Sequence, residues 1–287
     1  MKKIKDIVFG AILLTFIAAV VGPVPVFAAT SPTLGEADSY SVLGHTTVTN
    51  TGSTTMPGDL GISIGGAPTG FPPGVVGPPG TIRNAGDSLL AQNDNTAAFT
   101  AIDQPCDTTY PGIKDLVGEN LVAGVYCADA FELSGTLTLD GAGVWIFKSA
   151  STLITSGTAN VVGGDPCNVW WRQVSSATLG TNTSLIGNIL SSTSISMQTG
   201  ATLDGRALAQ TGAVTLESNI ITGPVCLAID TETPPIDTDT PIDTDTPGLP
   251  DAGVRTEQSN NNLVTLIFVG SAMTLGALYI IYKKRSE

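Results

Sequence analysis

The groups in this 287-residue chain that could do chemistry are few and scattered. Its single histidine, His45, stands in a predicted turn or strand start with no nucleophile at motif spacing. It reads as structural or solvent-facing, because general acid–base work needs a base within hydrogen-bond reach of a reacting group. Glycoside hydrolysis needs two facing carboxylates. Asp140 and Asp204 each sit in Leu-Asp-Gly, recur at equivalent positions, and would stack. Leu-Asp-Gly is also ordinary turn chemistry, and no basic cluster accompanies it. Trp145, Trp170 and Trp171 lie in apolar strand runs and read as core residues before sugar-stacking platforms. Catalysis is the least supported class, and no cofactor or metal is implied. The abundant group is the small hydroxyl. TNTGSTTMPGDLG, residues 49–61, carries Thr49, Thr51, Ser53, Thr54 and Thr55, with Asp59 as its only charge.

Four cysteines, Cys106, Cys127, Cys167 and Cys226, are disulfide candidates in an exported chain. Three connectivities are open, and chain order favours Cys106 with Cys127 and Cys167 with Cys226. A zinc site is the weaker reading, since there is no CxxC and one histidine.

The elements that must position these groups follow from patterning. Residues 1–28 have three lysines, an apolar run and a small-residue cleavage site, the layout of a secretory signal peptide. Residues 29–228 form one domain with only five basic residues, Arg83, Lys114, Lys148, Arg172 and Arg206. The formal net charge of −13 argues against nucleic acid, which needs a basic footprint. Within the domain Thr181, Leu185, Gly187 and Leu190 recur as Thr199, Leu203, Gly205 and Leu208. A fixed short period with β-type runs split by glycine is a solenoid signature, with Leu, Ile and Val inward and Thr, Ser, Asn and Gln outward. Ser88–Pro105 breaks the pattern and is predicted to be a helix, with Leu89, Leu90, Ala97, Ala98, Ala101 and Ile102 on its buried side and Pro105 at its end. Gly65–Gly80 is expected to be a Gly/Pro-rich loop, and Gly58-Asp59-Leu60-Gly61 a turn.

Residues 229–248 repeat PIDTDT and make an extended, solvated spacer. Residues 249–287 carry Leu249-Pro250-Asp251-Ala252-Gly253, an apolar stretch long enough to span a membrane, and Lys283-Lys284-Arg285. This combination resembles the cell-wall sorting signal of Gram-positive surface proteins, with Ala252 in place of the usual Thr; the motif residues are Leu249, Pro250, Ala252 and Gly253. It implies an exported protein held at the cell surface by the membrane or the cell wall, with its body outside.

Tyr40–Gly66, Thr69–Gly74, Leu121–Thr158 and Cys167–Thr222 together resemble the microbial ice-binding proteins. The resemblance implies a mainly β fold, a right-handed discontinuous β-solenoid (triangular β-helix) with one long α-helix packed alongside. It implies adsorption to ice or ordered water, without a cofactor. Some members carry Thr-Gly/Ala-x-Thr/Asn on the binding face. By that motif Thr51-Gly52-Ser53-Thr54 and Thr199-Gly200-Ala201-Thr202 match directly, Thr181-Asn182-Thr183-Ser184 loosely, and Ser156-Gly157-Thr158-Ala159 in degenerate form. The implied ice-binding candidates are Thr51, Thr54, Ser156, Thr158, Thr181, Thr183, Ser184, Thr199 and Thr202. A surface adhesin for glycan or protein, or a structural surface domain, is the alternative.

Overall fold

The computed structural model describes residues 28–223 and Cys226. The expected signal sequence up to residue 27, the acidic spacer and the sorting-like C-terminal region lie outside the described residues. Among the described residues no helix is long and apolar enough to cross a membrane.

The domain is mainly β, with parallel sheets and one long helix. Three parallel ladders make up the stack. The first is a seven-stranded sheet. In spatial order it runs β7 (Ile113–Asp115), β10 (Ala130–Leu133), β13 (Leu153–Thr155), β16 (Ala177–Leu179), β18 (Ile195–Met197), β20 (Val214–Glu217) and β2 (Val48–Thr51). The second runs β8 (Asn120–Leu121), β11 (Thr136–Leu139), β14 (Asn160–Gly163), the first half of β17 (Ser184–Ser191), the first half of β19 (Thr202–Ala209), β21 (Ile220–Ile221), β3 (Thr55–Met56) and β5 (Val75–Val76). The third runs β6 (Thr108–Thr109), β9 (Gly124–Ala128), β12 (Trp145–Ser149), β15 (Val169–Gln173), the second halves of β17 and β19, β1 (Tyr40–Gly44) and β4 (Asp59–Ile62).

The predicted repeat is realised residue by residue. Leu185 pairs with Leu203, Gly187 with Gly205 and Leu190 with Leu208. The glycines sit where β17 and β19 bend from the second ladder to the third. Gly187 has φ 104°, and a Cβ on Gly205 would come within 1.9 Å of the Gly187 carbonyl oxygen. Only glycine fits there.

Inward residues of the third ladder taper along the stack. Tyr126, Phe147, Trp171, Ile189, Ala207, Val42 and Leu60 are successive register partners. Phe147 stacks on Trp171 at 4.2 Å and on Tyr126 at 5.5 Å between centroids. Trp145 and Trp171 are fully buried, and their indole N–H groups donate to the carbonyls of Leu121 and Ile186. All three tryptophans are therefore core, as their apolar runs predict. Burying each such side chain is worth about 1.5–3 kcal/mol.

Helix α1 spans Ala85–Ala101 and lies on the third ladder. The Asn84 side chain accepts a hydrogen bond from Asp87 N at 3.1 Å and caps its start. The expected apolar side is corrected. Ser88, Ala91, Gln92, Asn95 and Ala98 are buried, while Leu89 and Leu90 are 45% and 58% exposed and Ala97 and Ala101 also face solvent. Bulky Leu43, Trp170, Leu190 and Leu208 project from the ladder, so the helix approaches through small side chains. It also ends before Pro105: Asp103 has left the helix to pair with Lys148 at 2.6 Å and Arg172 at 3.3 Å.

Two further expectations are corrected. The Gly65–Gly80 stretch is half a layer of the stack: Thr69 bridges to Thr49, and β5 pairs with β3. Asp59–Ile62 is strand β4, not a turn, and buried Asp59 holds the later segment through Arg83 at 2.7 Å and Thr81 N at 2.8 Å, and the residue before β1 through Ser39 Oγ at 2.8 Å. The cysteines form Cys106–Cys127 and Cys167–Cys226.

Candidate functional site

The third ladder's outer side is covered by α1, so the first and second ladders present the open faces. Residues on a strand alternate between the two sides. On the first ladder Ala177, Ile195, Val214 and Val48 point inward in register. Thr178, Ser196, Thr215 and Thr49 point outward between them, also in register. Thr69 continues the row through its bridge to Thr49. Adjacent hydroxyls in the row are therefore ~4.8 Å apart, the interstrand spacing. A flanking row precedes it. The carbonyls of Ser176, Ser194, Ala213 and Thr47 accept from the inward residues of neighbouring strands and so line up: Leu153 N to Ser176 O, Ala177 N to Ser194 O, Ile195 N to Ala213 O and Val214 N to Thr47 O. Along β2 and the residue just before it, Thr47, Thr49 and Thr51 recur at ~6.7 Å, twice the rise per residue.

The result is a two-dimensional grid of small hydroxyls on backbone fixed by ladder hydrogen bonds on both sides. β-Branching restricts the threonine χ1, and no long cation crosses the grid. Glu217 is the one charge on β16, β18, β20 and β2. The row degrades at its far end to Ile154, Glu132 and Asp115. Lys114 lies there too, paired with Glu119, which raises the Lys114 ammonium above its ordinary value. The other basic residues are engaged elsewhere. Lys148 and Arg172 meet Asp103, Arg83 meets Asp59, and Arg206, 4% exposed, is held by Asp38. Burial is the main cause lowering the Arg172 and Arg206 guanidinium pKa values, opposed by those carboxylates.

Of the motif-derived candidates only Thr51, on β2, shares this plane. Thr54 and Thr183 are fully buried and cannot meet a surface. Asn219 N donates to Thr54 Oγ1 at 3.0 Å, and Thr183 Oγ1 lies 2.6 Å from Thr155 Oγ1; both hydroxyls pin the corner from inside. Thr51 is exposed at the end of β2. Ser156, Thr158, Thr181 and Thr199 are exposed in the corner between the first and second ladders. Thr181 donates to Gln198 at 3.3 Å and Thr199 to Glu217 at 3.0 Å, so both hydroxyls are engaged sideways. Ser184 and Thr202 pair with each other on the outer side of the second ladder.

Register explains the split. Thr55, not Thr54, pairs with Ile220 and thereby falls in line with Thr202. Asn160, not Ala159, pairs with Ser184. The tetrapeptides at 51 and 156 are therefore one residue out of step with those at 181 and 199, and a one-residue slip turns a side chain to the other side. Asp140 and Asp204 are likewise out of step. Thr138 pairs with Val162, whereas Asp204 pairs with Ile186, and β14 and β17 lie between the strands. They cannot stack. The His45 ring lies against Ser63, at 2.8 Å from Nδ1 to Oγ. Among the described residues no group of His, Cys, Asp and Glu is arranged to hold a metal.

The hydroxyl grid was missed because it lies inside strands, while the motif points to turns. Its signal is present in the sequence as inward–hydroxyl–inward triplets, Ala177-Thr178-Leu179, Ile195-Ser196-Met197 and Val214-Thr215-Leu216.

Fold and face together define a parallel-β stack that offers a flat, regular, nearly uncharged hydroxyl surface. Residues 42–222 match the ice-binding-like family. The chain is 43% identical over 202 residues to an ice-binding protein of Nostoc sp. (strain HG1), covering 67% of this chain and 74% of that one. It is 31% identical over 213 residues to an ice-binding protein of Flavobacterium frigoris (strain PS1), covering 67% and 76%. The crystal structure of an ice-binding protein from the Antarctic ascomycete Antarctomyces psychrotrophicus superposes with a TM-score of 0.64 at 38% identity, covering 69% of this chain and all of that one. The chain belongs to the ice-binding protein family.

Proposed function

We propose that the protein binds ice through the outer side of its first ladder. The observation that carries this is the in-register row Thr178, Ser196, Thr215 and Thr49, flanked by Ser176, Ser194 and Thr47. Ice is a neutral lattice of water, so its binder needs a rigid array that loses little entropy on contact. The threonine methyl orders a water shell and the hydroxyl anchors it. The stack reads as a right-handed, triangular, discontinuous β-solenoid: N-terminal strands β1, β2 and β3 continue the ladders of β19, β20 and β21, and α1 returns the chain to the other end.

Thermal hysteresis and ice-recrystallisation inhibition by residues 30–228 test the reading. Activity is expected, and Thr215→Tyr is expected to reduce it at least tenfold without lowering the melting temperature. Thr202→Tyr, on the second ladder, should retain most of it. The reverse pattern would move the binding face to the second ladder. Glycan binding without any effect on ice would favour an adhesin.

We further propose that the protein is exported through residues 1–28 and displayed at the cell surface through residues 249–287, held by the membrane or, after cleavage at Leu249–Gly253, by the cell wall. Protease treatment of intact cells should release the domain; a domain recovered only from inside the cell would sink this.

A further inference from the structure

We propose that the Cys167–Cys226 disulfide is a mechanical clamp. It would take a pull arriving along the C-terminal segment and pass it to the corner between β14 and β15, so that β21 and β20 are not unpicked from their C-terminal end. This rests on the reading above, in which the C-terminal side is tethered while the first ladder is bound to a solid.

The chain's exit makes such a clamp necessary. β21 is two residues long; it pairs with β19 through Ile220 and Ile221 and with β3 through Ile220 alone. The next place on the third ladder is taken by β1, which pairs with β19 there through Val42 and Leu43. The chain is therefore turned out at the corner between the second and third ladders, away from the first. A pull on a free end there would unpick β21 one pair at a time. It would next reach β20, which carries Thr215 in the middle of the hydroxyl row.

Cys226 intercepts that pull, and its partner is well rooted. Cys167 sits in the short helical turn Pro166–Asn168, where its N–H donates to Asp165 at 3.0 Å. Asn188 of β17 donates to Pro166 O at 3.3 Å, and Asn168 accepts from Ser31 at 2.9 Å. Ser31 in turn accepts from the Trp170 indole at 3.0 Å. Arg206 of β19 lies 3.8 Å from Cys226 Sγ and donates to Asn188 Oδ1 at 2.9 Å and to Asp38 O at 2.8 Å. Load delivered to Cys167 thus spreads over β15, β17, β19 and the N-terminal segment at once. The covalently closed stretch contains β16, β18 and β20, and with them Thr178, Ser196 and Thr215. A covalent link does not unpick under forces that separate hydrogen-bonded pairs one at a time.

The test is force spectroscopy on the full exported chain, held by a C-terminal handle and by a click-reactive residue in place of Thr215. The oxidised chain is expected to resist until one cooperative unfolding event. The doubly substituted Cys167→Ser/Cys226→Ser chain should first yield at less than half that force, with a step of a few tens of ångströms at ~3.4 Å per residue as β21 and the end of β20 peel away. Reducing the folded wild-type chain in place should reproduce that step, and it decides the matter if the serine variant does not fold. Cys106→Ser/Cys127→Ser should keep the wild-type behaviour. Equal forces with and without the Cys167–Cys226 bond, or an early step in the oxidised chain, would overturn the proposal. Thermal hysteresis of the free chains is measured in parallel. Its absence from every chain would sink the ice reading and leave the force comparison standing.

Discussion

The first and third ladders are built from the same circuits of the chain, yet their outer sides have opposite fates. Outward positions on the third ladder hold Trp170, Leu190, Leu208 and Leu43, all buried. Those on the first hold Thr178, Ser196 and Thr215, half-exposed, and Thr49, exposed. Apolar outward residues leave the ladder no stable state until something covers it, and α1 does so. Small hydroxyls hydrogen-bond water as they stand, so their ladder stays bare. Coverage also collects the charges. Lys148 and Arg172 end on Asp103 beside α1, and the Arg172 guanidinium lies 4.1 Å from the Phe99 ring. The open face is flat and neutral partly because the covered face has absorbed the long cations.

The sharpest way to break this comparison is one substitution made on both sides. Leu208→Asp should cost roughly 3–5 kcal/mol in urea unfolding, the scale of losing a buried leucine and stranding a charge. Thr215→Asp should cost at most about 1 kcal/mol, the span of strand preference at a solvated site, while removing most ice activity. Similar losses at both sites would mean that the two faces are not differently packed. Next in size is overpacking of the seam: Ala98→Leu, at a residue 1% exposed, should cost about 1–3 kcal/mol.

The acid response separates the Asp59 end of the stack from the open hydroxyl row. Burial would raise the Asp59 carboxyl, but hydrogen bonds from Arg83, Thr81 and Ser39 outweigh it and hold it below the ordinary carboxylate value. A group depressed in the folded state contributes stability above its unfolded pKa, about 3.9, and that contribution disappears as pH falls through the folded value. The melting temperature should therefore drop below about pH 4, and drop less in Asp59→Asn, which starts lower. Hydrogen exchange should place the first opening at β4 and the segment through Arg83. First opening at β16, β18, β20 or β2, whose row from Thr178 to Thr49 holds no titrating group, would contradict this.

Much of this architecture was legible in the residues themselves. The recurrence of Leu185-x-Gly187 as Leu203-x-Gly205 is the stacking register itself, because inward packing and a glycine corner must repeat with the circuit. Which threonines face outward was not legible from the motif. Thr54 and Thr202 hold the same place in matching tetrapeptides, yet the chain enters the corner one residue earlier at Thr51 than at Thr199. Parity along a strand depends on where the strand begins, and a four-letter match does not record that. The helix was recognisable as a helix because no glycine interrupts it after Gly86, but its buried side was misjudged. Periodicity finds the most apolar stripe, while the ladder beneath selects the narrowest one.

That last contrast gives the smallest prediction. Leu90 is 58% exposed and Asn95 fully buried on the same helix, so stability should follow contact and not hydrophobicity. Leu90→Gln removes an apolar side chain that is mostly exposed to solvent, and should change stability by no more than about 0.5 kcal/mol. Asn95→Gln, conservative by chemistry, adds a methylene at a fully buried position of the seam and should cost more than Leu90→Gln does, about 1 kcal/mol or above. Both are read from urea midpoints at constant slope. If Leu90→Gln proved the more damaging, the apolar stripe would be the true contact side of α1. The covered and open faces would then differ less than their outward residues indicate.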